Sequence, residues 1–323
     1  MLSESGLQQR RVSQGSQGSQ SSQQSYVPLA LVASEDGGGG PILSDEEVDK
    51  QATSLQRWDR FAAFVHFCQA FALLIICTVE SPKRLLVVDS FTSGRPGAVN
   101  STNVAAMTVT RTLPVYPIIL ACVTESLSTI AHLVQADGLE MWYGRSVLTD
   151  MIRNKRNPYR LMEYAVTATT VILNLSLILN VITIPTLLAV CACNVSMIMF
   201  GDLSSRFKQD GDKKRAFWYG SFAGIIPWVV IGTQLIQAAV HAGAGLVPWF
   251  VWSIFAGLIA LFWCFAAAEA LMIFGPVTMC GYTFGKASFY TTEVRFKVLS
   301  VISKSALSWQ IYAALATMPP SAA

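Results

Sequence analysis

Phe296-Lys297-Val298-Leu299-Ser300-Val301-Ile302-Ser303-Lys304-Ser305-Ala306-Leu307-Ser308-Trp309-Gln310-Ile311-Tyr312-Ala313-Ala314-Leu315-Ala316-Thr317 is the stretch on which the reading of this chain turns. It is about as long as a hydrocarbon core is thick. Lys304 stands in its middle, deeper than any other lysine or arginine in an apolar stretch of the chain. A charge at that depth costs roughly 2.5–3.5 kcal/mol on insertion scales, so a chain rarely keeps one without a use. A buried lysine loses its proton readily, and the neutral amine condenses with an aldehyde to form a Schiff base. Two readings of Lys304 stand side by side: the anchor of a covalent chromophore, or a lysine that faces a water-filled cavity or pairs with a buried carboxylate.

Outward from this stretch the pattern repeats. Of the 323 residues, 52% are apolar and only 13% charged, against about 25% charged in an ordinary soluble domain. Apolar runs of membrane length fall near 61–79, 115–135, 161–182, 184–201, 217–240, 249–274 and 296–317. They predict an all-α membrane protein, a bundle of seven transmembrane helices. Pro117 and Pro227 lie inside two of the runs, which membrane helices tolerate.

The basic residues predict the orientation. Connections after the second, fourth and sixth runs carry twelve lysines and arginines, among them Arg145, Arg153, Arg206, Lys214 and Arg295. Those after the first, third and fifth carry four: Lys83, Arg84, Arg95 and Arg111. The positive-inside rule puts the even connections in the cytoplasm. With seven spans the N-terminus is then cytoplasmic and the C-terminus extracellular or lumenal, which is upside down relative to familiar seven-helix receptors and light-driven pumps.

Residues 1–54 are dominated by Gln, Ser and Gly, with a glycine run at 37–40 and the acidic patch Asp45-Glu46-Glu47. Nothing there buries a core, so the reading is a disordered cytoplasmic tail without the apolar region of a signal peptide. Residues 55–318 form the helical domain, and 319–323 a short outer tail. The connection of about 35 residues after the first run (80–114) is long enough to carry structure. Alternation over 104–115 predicts a short β-hairpin on the outer surface, and Asn100-Ser101-Thr102 is a glycosylation sequon there. Six of the seven cysteines sit in apolar runs and Cys280 in a connection, with no metal-ligand spacing.

Few ionisable residues lie at membrane depth: His66, Glu125, His132, Glu163, Glu269 and Lys304. A cation on Lys304 needs a carboxylate beside it. Glu163 is the candidate, although Arg160, three residues earlier on the same helical face, offers it a local ion pair instead.

Four motifs then carry a resemblance. Arg160-Leu161-Met162-Glu163-Tyr164, Asn194-Val195-Ser196-Met197-Ile198-Met199-Phe200-Gly201, Phe217-Trp218-Tyr219-Gly220 followed by Ala223-Gly224-Ile225-Ile226-Pro227-Trp228, and Lys304-Ser305-Ala306-Leu307-Ser308-Trp309-Gln310 resemble the heliorhodopsin family, over about 55–317. His66 with Gln69, and His132, fit the same pattern, as does the inverted orientation. The resemblance implies all-trans retinal on Lys304 as a protonated Schiff base, Glu163 as its counterion, and Ser300 beside it where other microbial rhodopsins have a second carboxylate. It implies a proton-accepting polar cavity of His66, His132, Ser128 and Gln69. Trp228, Phe265 and Trp309 would sandwich the chromophore, with Tyr164 and Asn194 near it. Homodimers in a lipid membrane, with an unknown cytoplasmic signalling partner and no nucleic acid, are the implied assembly.

By the same resemblance the chain is a photoreceptor rather than an enzyme. Thr167 stands four residues after Glu163, as in outward proton pumps, but Asn174 replaces the donor carboxylate at the eleventh. Glu125 and Glu269, where the family pattern leads one to expect apolar or amide residues, keep light-driven proton conduction as the alternative. A seven-helix membrane hydrolase is more remote: three histidines occur, and His241, expected in an outer loop, lies far in depth from His66 and His132.

Overall fold

The computed structural model describes residues 43–79, 85–92, 107–242, 247–279, 282–285 and 287–317. The sequon at Asn100, Cys280, the tail up to residue 42 and residues 319–323 lie outside them. The first helix, α1, is Asp45–Val79. Strands β1 (Leu85–Thr92) and β2 (Met107–Val115) pair antiparallel, Leu85 opposite Val115, with an irregularity between Asp89 and Ser90. Next come α2 (Pro117–Leu133), a π-helical turn (Val134–Gly138), α3 (Leu139–Tyr143) and the short α4 (Ser146–Arg153). The long helices α5 (Pro158–Ile178), α6 (Ile184–Arg206), α7 (Asp210–Ala242) and α8 (Trp249–Ile273) follow. The antiparallel pair β3 (Val277–Met279) and β4 (Tyr282–Phe284) then leads into α9 (Phe289–Thr317).

The boundary expected at residue 55 falls inside α1. Ser44 Oγ accepts from the backbone N–H of Glu47, three acidic residues complement the N-terminal dipole, and Val48, Ala52 and Leu55 find apolar partners. At 35 residues α1 is about 52 Å long, well beyond a hydrocarbon core of about 30 Å. Its first turns join Leu139, Leu148, Met151, Ile152 and Phe289 in a small apolar core of their own. His241 likewise belongs to the last turn of α7, its Nδ1 2.8 Å from the Gln237 carbonyl, and not to a loop.

Two helix ends set the spacing around the site. Pro158 opens α5 where a missing N–H costs nothing, and Asn157 Oδ1 caps it by accepting from Arg160 N at 3.1 Å. At the far end Asn180 adopts φ 65°, Val181 N–H reaches Ser176 O at 2.8 Å, and Asn180 N–H reaches Leu177 O at 3.1 Å. This Schellman turn reverses the chain within a few residues into α6. Helices α6 and α7 then meet closely: a Cβ on Gly220 would stand 3.2 Å from the Met197 carbonyl oxygen.

Large apolar side chains face outward while ionisable ones are kept inside, beside an apolar core that includes Leu73, Leu175, Ile231 and Ile311. Phe61, Phe64, Phe67 and Phe71 form an exposed stripe on α1, and Trp218, Phe222 and Val229 lie exposed on α7. Buried among the helices are Asp59, His66, Glu125, His132, Glu163, Glu293, Lys297 and Lys304. Hydroxyls such as Thr124 and Ser176 satisfy themselves on the carbonyl four residues earlier. Apolar outside and polar inside is what a lipid solvent selects, and six helices among the described residues are long and apolar enough to cross a membrane. The chain is a multi-pass integral membrane protein. The seventh expected run lies in α9, whose lysines, serines and Gln310 keep it out of that set.

Candidate functional site

Lys304 projects from α9 to Glu163 on α5, its Nζ donating to Oε1 at 2.7 Å, with both side chains almost fully buried. The local alternative for Glu163 is not what forms: Arg160 pairs with Glu293 of α9 and stacks 4.1 Å over the Phe296 ring. Asn157 Nδ2 reaches both Glu293 Oε2 at 2.8 Å and Gln135 Oε1 at 3.2 Å, so the cap of α5 also serves the interior. Gln135 belongs to the π-helical turn, and its Nε2 donates to Glu163 Oε2 at 3.4 Å. The wider turn thus presents a side chain to the second oxygen of Glu163, a placement common for π-turns near functional groups.

Beside this pair opens a cavity of about 210 Å³ between α5, α6, α7, α8 and α9. Tyr164, Trp228, Phe262 and Phe265 supply aromatic walls, and Lys304 with Ser300 forms part of the lining. The Tyr164 ring lies 5.5 Å from Lys304 Nζ, edge-on to Phe265, while its hydroxyl donates to the Phe296 carbonyl. Asn194 also lines the cavity and donates to Thr169 Oγ1 at 2.9 Å. Ser300 Oγ and Trp228 Nε1 are buried without a protein partner. Trp309 does not join them. It is 42% exposed and packs edge-on against Tyr312, because five residues beyond Lys304 an α-helix has turned about 140° away.

On the other side of Glu163, α1 and α2 bring His66 and His132 into parallel stacking, ring centroids 5.5 Å apart. His66 Nδ1 meets Glu125 Oε2 at 2.5 Å, and Ser308 Oγ donates to Glu125 Oε1 at 2.7 Å. His132 Nδ1 meets Asp59 Oδ1 at 2.9 Å, and its Nε2 lies 3.7 Å from Glu163 Oε1. Gln69 Nε2 donates to Ser305 Oγ. The remaining polar atoms, His66 Nε2, His132 Nε2, Ser128 Oγ and Gln69 Oε1, are buried and bare of protein partners, a grouping suited to ordered water. Glu269 is elsewhere: it lines the aromatic cavity near Arg160, and among the described residues no hydrogen bond joins it to Glu125. Sequence reasoning missed Asp59, Lys297 and Glu293. Lys297 Nζ donates to Asp59 Oδ1 at 2.6 Å.

Ionisable groups buried among apolar helices, with a lysine–glutamate pair beside an aromatic cavity, are the arrangement of a rhodopsin-type membrane protein. Residues 55–316 match the heliorhodopsin model, and the chain belongs to the heliorhodopsin family. That family is one of retinal proteins. Among solved structures the chain is similar to the thermophilic rhodopsin of Rubrobacter xylanophilus, with TM-score 0.55 and 16% identity over 81% of this chain and 96% of that one. It is also similar to the transmembrane domain of the Salpingoeca rosetta rhodopsin phosphodiesterase, with TM-score 0.57 and 11% identity over 85% of this chain and 88% of that one. Identities this low bear on the fold alone. No curated protein matches the chain.

Proposed function

We propose that this is a non-enzymatic light sensor in which all-trans retinal is held on Lys304 as a protonated Schiff base, with Glu163 as its single full counterion. The observation that carries the reading is the buried contact of Lys304 Nζ with Glu163 Oε1 at 2.7 Å beside an apolar, aromatic cavity. The residues fit the group: the cavity is lined from Arg160 to Ile172 along α5 and walled by rings, a lysine amine is present, and the adjoining Ser300 Oγ has no competing protein partner. When bound, retinal supplies light absorption and a change of shape that moves the positive charge relative to Glu163.

The chain's own groups do the rest. Glu163 holds the proton on Lys304 Nζ by balancing its charge where water cannot. Tyr164, Trp228 and Phe265 exclude water and fix the ligand's plane. Once the cation is pulled from Glu163, its proton is no longer favoured, and the bare ring nitrogens of His66 and His132, with Ser128 and Gln69, form the basic cavity that takes it up. States of different charge distribution favour different helix arrangements, which a cytoplasmic partner can read. In this reading α9 is the seventh crossing, the N-terminus is cytoplasmic, and two copies pair in the membrane.

The deciding experiment is a visible spectrum of the protein expressed with all-trans retinal, beside Lys304→Ala. A visible band lost in the variant is the expected result; no band in either protein sinks the reading. Light-driven proton conduction is the second reading, favoured by two acids in the bundle, Glu125 between His66 and Ser308 and Glu269 beside Arg160. Glu269→Gln is then expected to keep the colour and abolish the photocurrent. An unchanged current removes Glu269 from the path.

A further inference from the structure

Two buried ion pairs lie two helical turns apart along α9: Lys304 with Glu163, and Lys297 with Asp59. The second plays no part in the reading above. Asp59 Oδ1 accepts from Lys297 Nζ at 2.6 Å and faces His132 Nδ1 at 2.9 Å. A carboxylate held by an ammonium is ionised and only accepts, so the hydrogen of that second contact must sit on His132 Nδ1. In a neutral imidazole the other nitrogen then carries a bare lone pair. That nitrogen, Nε2, is buried without a protein partner and stands 3.7 Å from Glu163 Oε1, the oxygen that accepts from Lys304 Nζ.

His66 is built similarly but is less tightly defined. Its Nδ1 faces Glu125, which is paired with Ser308 and, among the described residues, with no lysine or arginine. With no cationic side chain on Glu125 among the described residues, this contact does not dictate the His66 tautomer. Of the two rings, His132 is the one within ion-pair reach of Glu163. Behind it, Asp59 and Lys297 line a cavity of about 20 Å³ with Gln56, Gln135 and Asn157, room for one water with several polar partners.

We propose that Asp59, held by Lys297, is a positioning residue that fixes His132 in its Nδ1–H tautomer and so makes His132 Nε2 the receiver of the proton leaving Lys304 Nζ. The inference rests on Lys304 being the chromophore lysine. The proton passes from Nζ to Nε2, Glu163 keeps its negative charge, and the imidazolium, with hydrogens on both nitrogens, remains bonded to Asp59 Oδ1. Return of the same proton restores the starting state. The device is that of serine proteases, where replacing the buried aspartate by asparagine lowers the rate about 10⁴-fold through the wrong tautomer.

The test uses the full chain and the double variant Asp59→Asn/Lys297→Met, which removes both charges and so leaves neither stranded. Nitrogen-15 spectra of histidine-labelled, chromophore-free protein are read first, with His132 assigned by its loss in His132→Gln. The expected result is a proton on Nδ1 in the parent and a shift toward Nε2–H in the variant; the same tautomer in both overturns the proposal. Flash spectroscopy on retinal-loaded protein follows, with proton loss from Lys304 expected to slow about tenfold or more in the variant and in His132→Gln. An unchanged rate, or a larger effect from His66→Gln, also overturns it. If the parent forms no visible band, the chromophore reading fails, and the nitrogen spectra still decide the role of Asp59.

Discussion

Lys304 and Glu163 form a buried ion pair, Nζ to Oε1 at 2.7 Å. Removing one member of a buried pair strands the other and typically costs about 3–5 kcal/mol, whereas replacing both with apolar groups is often neutral. Glu163→Leu in chromophore-free protein is therefore expected to lose stability on that scale, and Glu163→Leu/Lys304→Met to recover most of it, as measured by denaturant unfolding in micelles. Equal losses in single and double variants would mean that the pair is not coupled. Both residues were legible in the sequence because each lies inside an apolar run. Asp59 and Lys297 were not, since they fall at or beyond the ends of their runs, where a charge ordinarily reaches solvent. A signal was nevertheless present: Asp59–His66, Glu125–His132 and Lys297–Lys304 are each seven residues apart, about 10.5 Å along one helical face. Trp309 shows the converse, an aromatic of the right type on the wrong face.

Between α6 and α7, glycines on α7 let the two helices approach closely. A Cβ on Gly224 would run into the Met197 side chain and stand 3.0 Å from Phe262 Cζ, so any larger residue there must displace Met197. Gly224→Leu is expected to destabilise the protein by about 1–3 kcal/mol through overpacking and to disturb the aromatic cavity that Met197 and Phe262 line. Adding Met197→Ala should restore part of the loss, readable as thermal stability and, in loaded protein, as a recovered visible band. No recovery would place the strain elsewhere. The long helices were legible from apolar runs, and the abrupt passage from α5 to α6 from the near-contact of the runs 161–182 and 184–201. The π-helical turn that delivers Gln135 to Glu163 left no mark in the sequence, because no residue type demands that turn.

For the molecule as a whole, the orientation is open to direct measurement. In a cysteine-free background, an impermeant thiol reagent is expected to label Thr112→Cys in β2 on intact cells, and Lys214→Cys at the start of α7 only after lysis. The reverse pattern would overturn the inverted topology. The solvent was legible in the sequence, since apolar runs of membrane length recur along the chain, but not which ionisable side chains turn inward. That inward turn bears on biogenesis. The segment that becomes α9 leaves the ribosome after all the other long helices, and its lysines make it the least able of them to enter lipid alone. With α9 as the proposed seventh crossing, Asp59 and Glu163 are already in the membrane when Lys297 and Lys304 arrive. Each cation thus enters beside a waiting anion, and the order of genes' reading becomes the order of charge neutralisation.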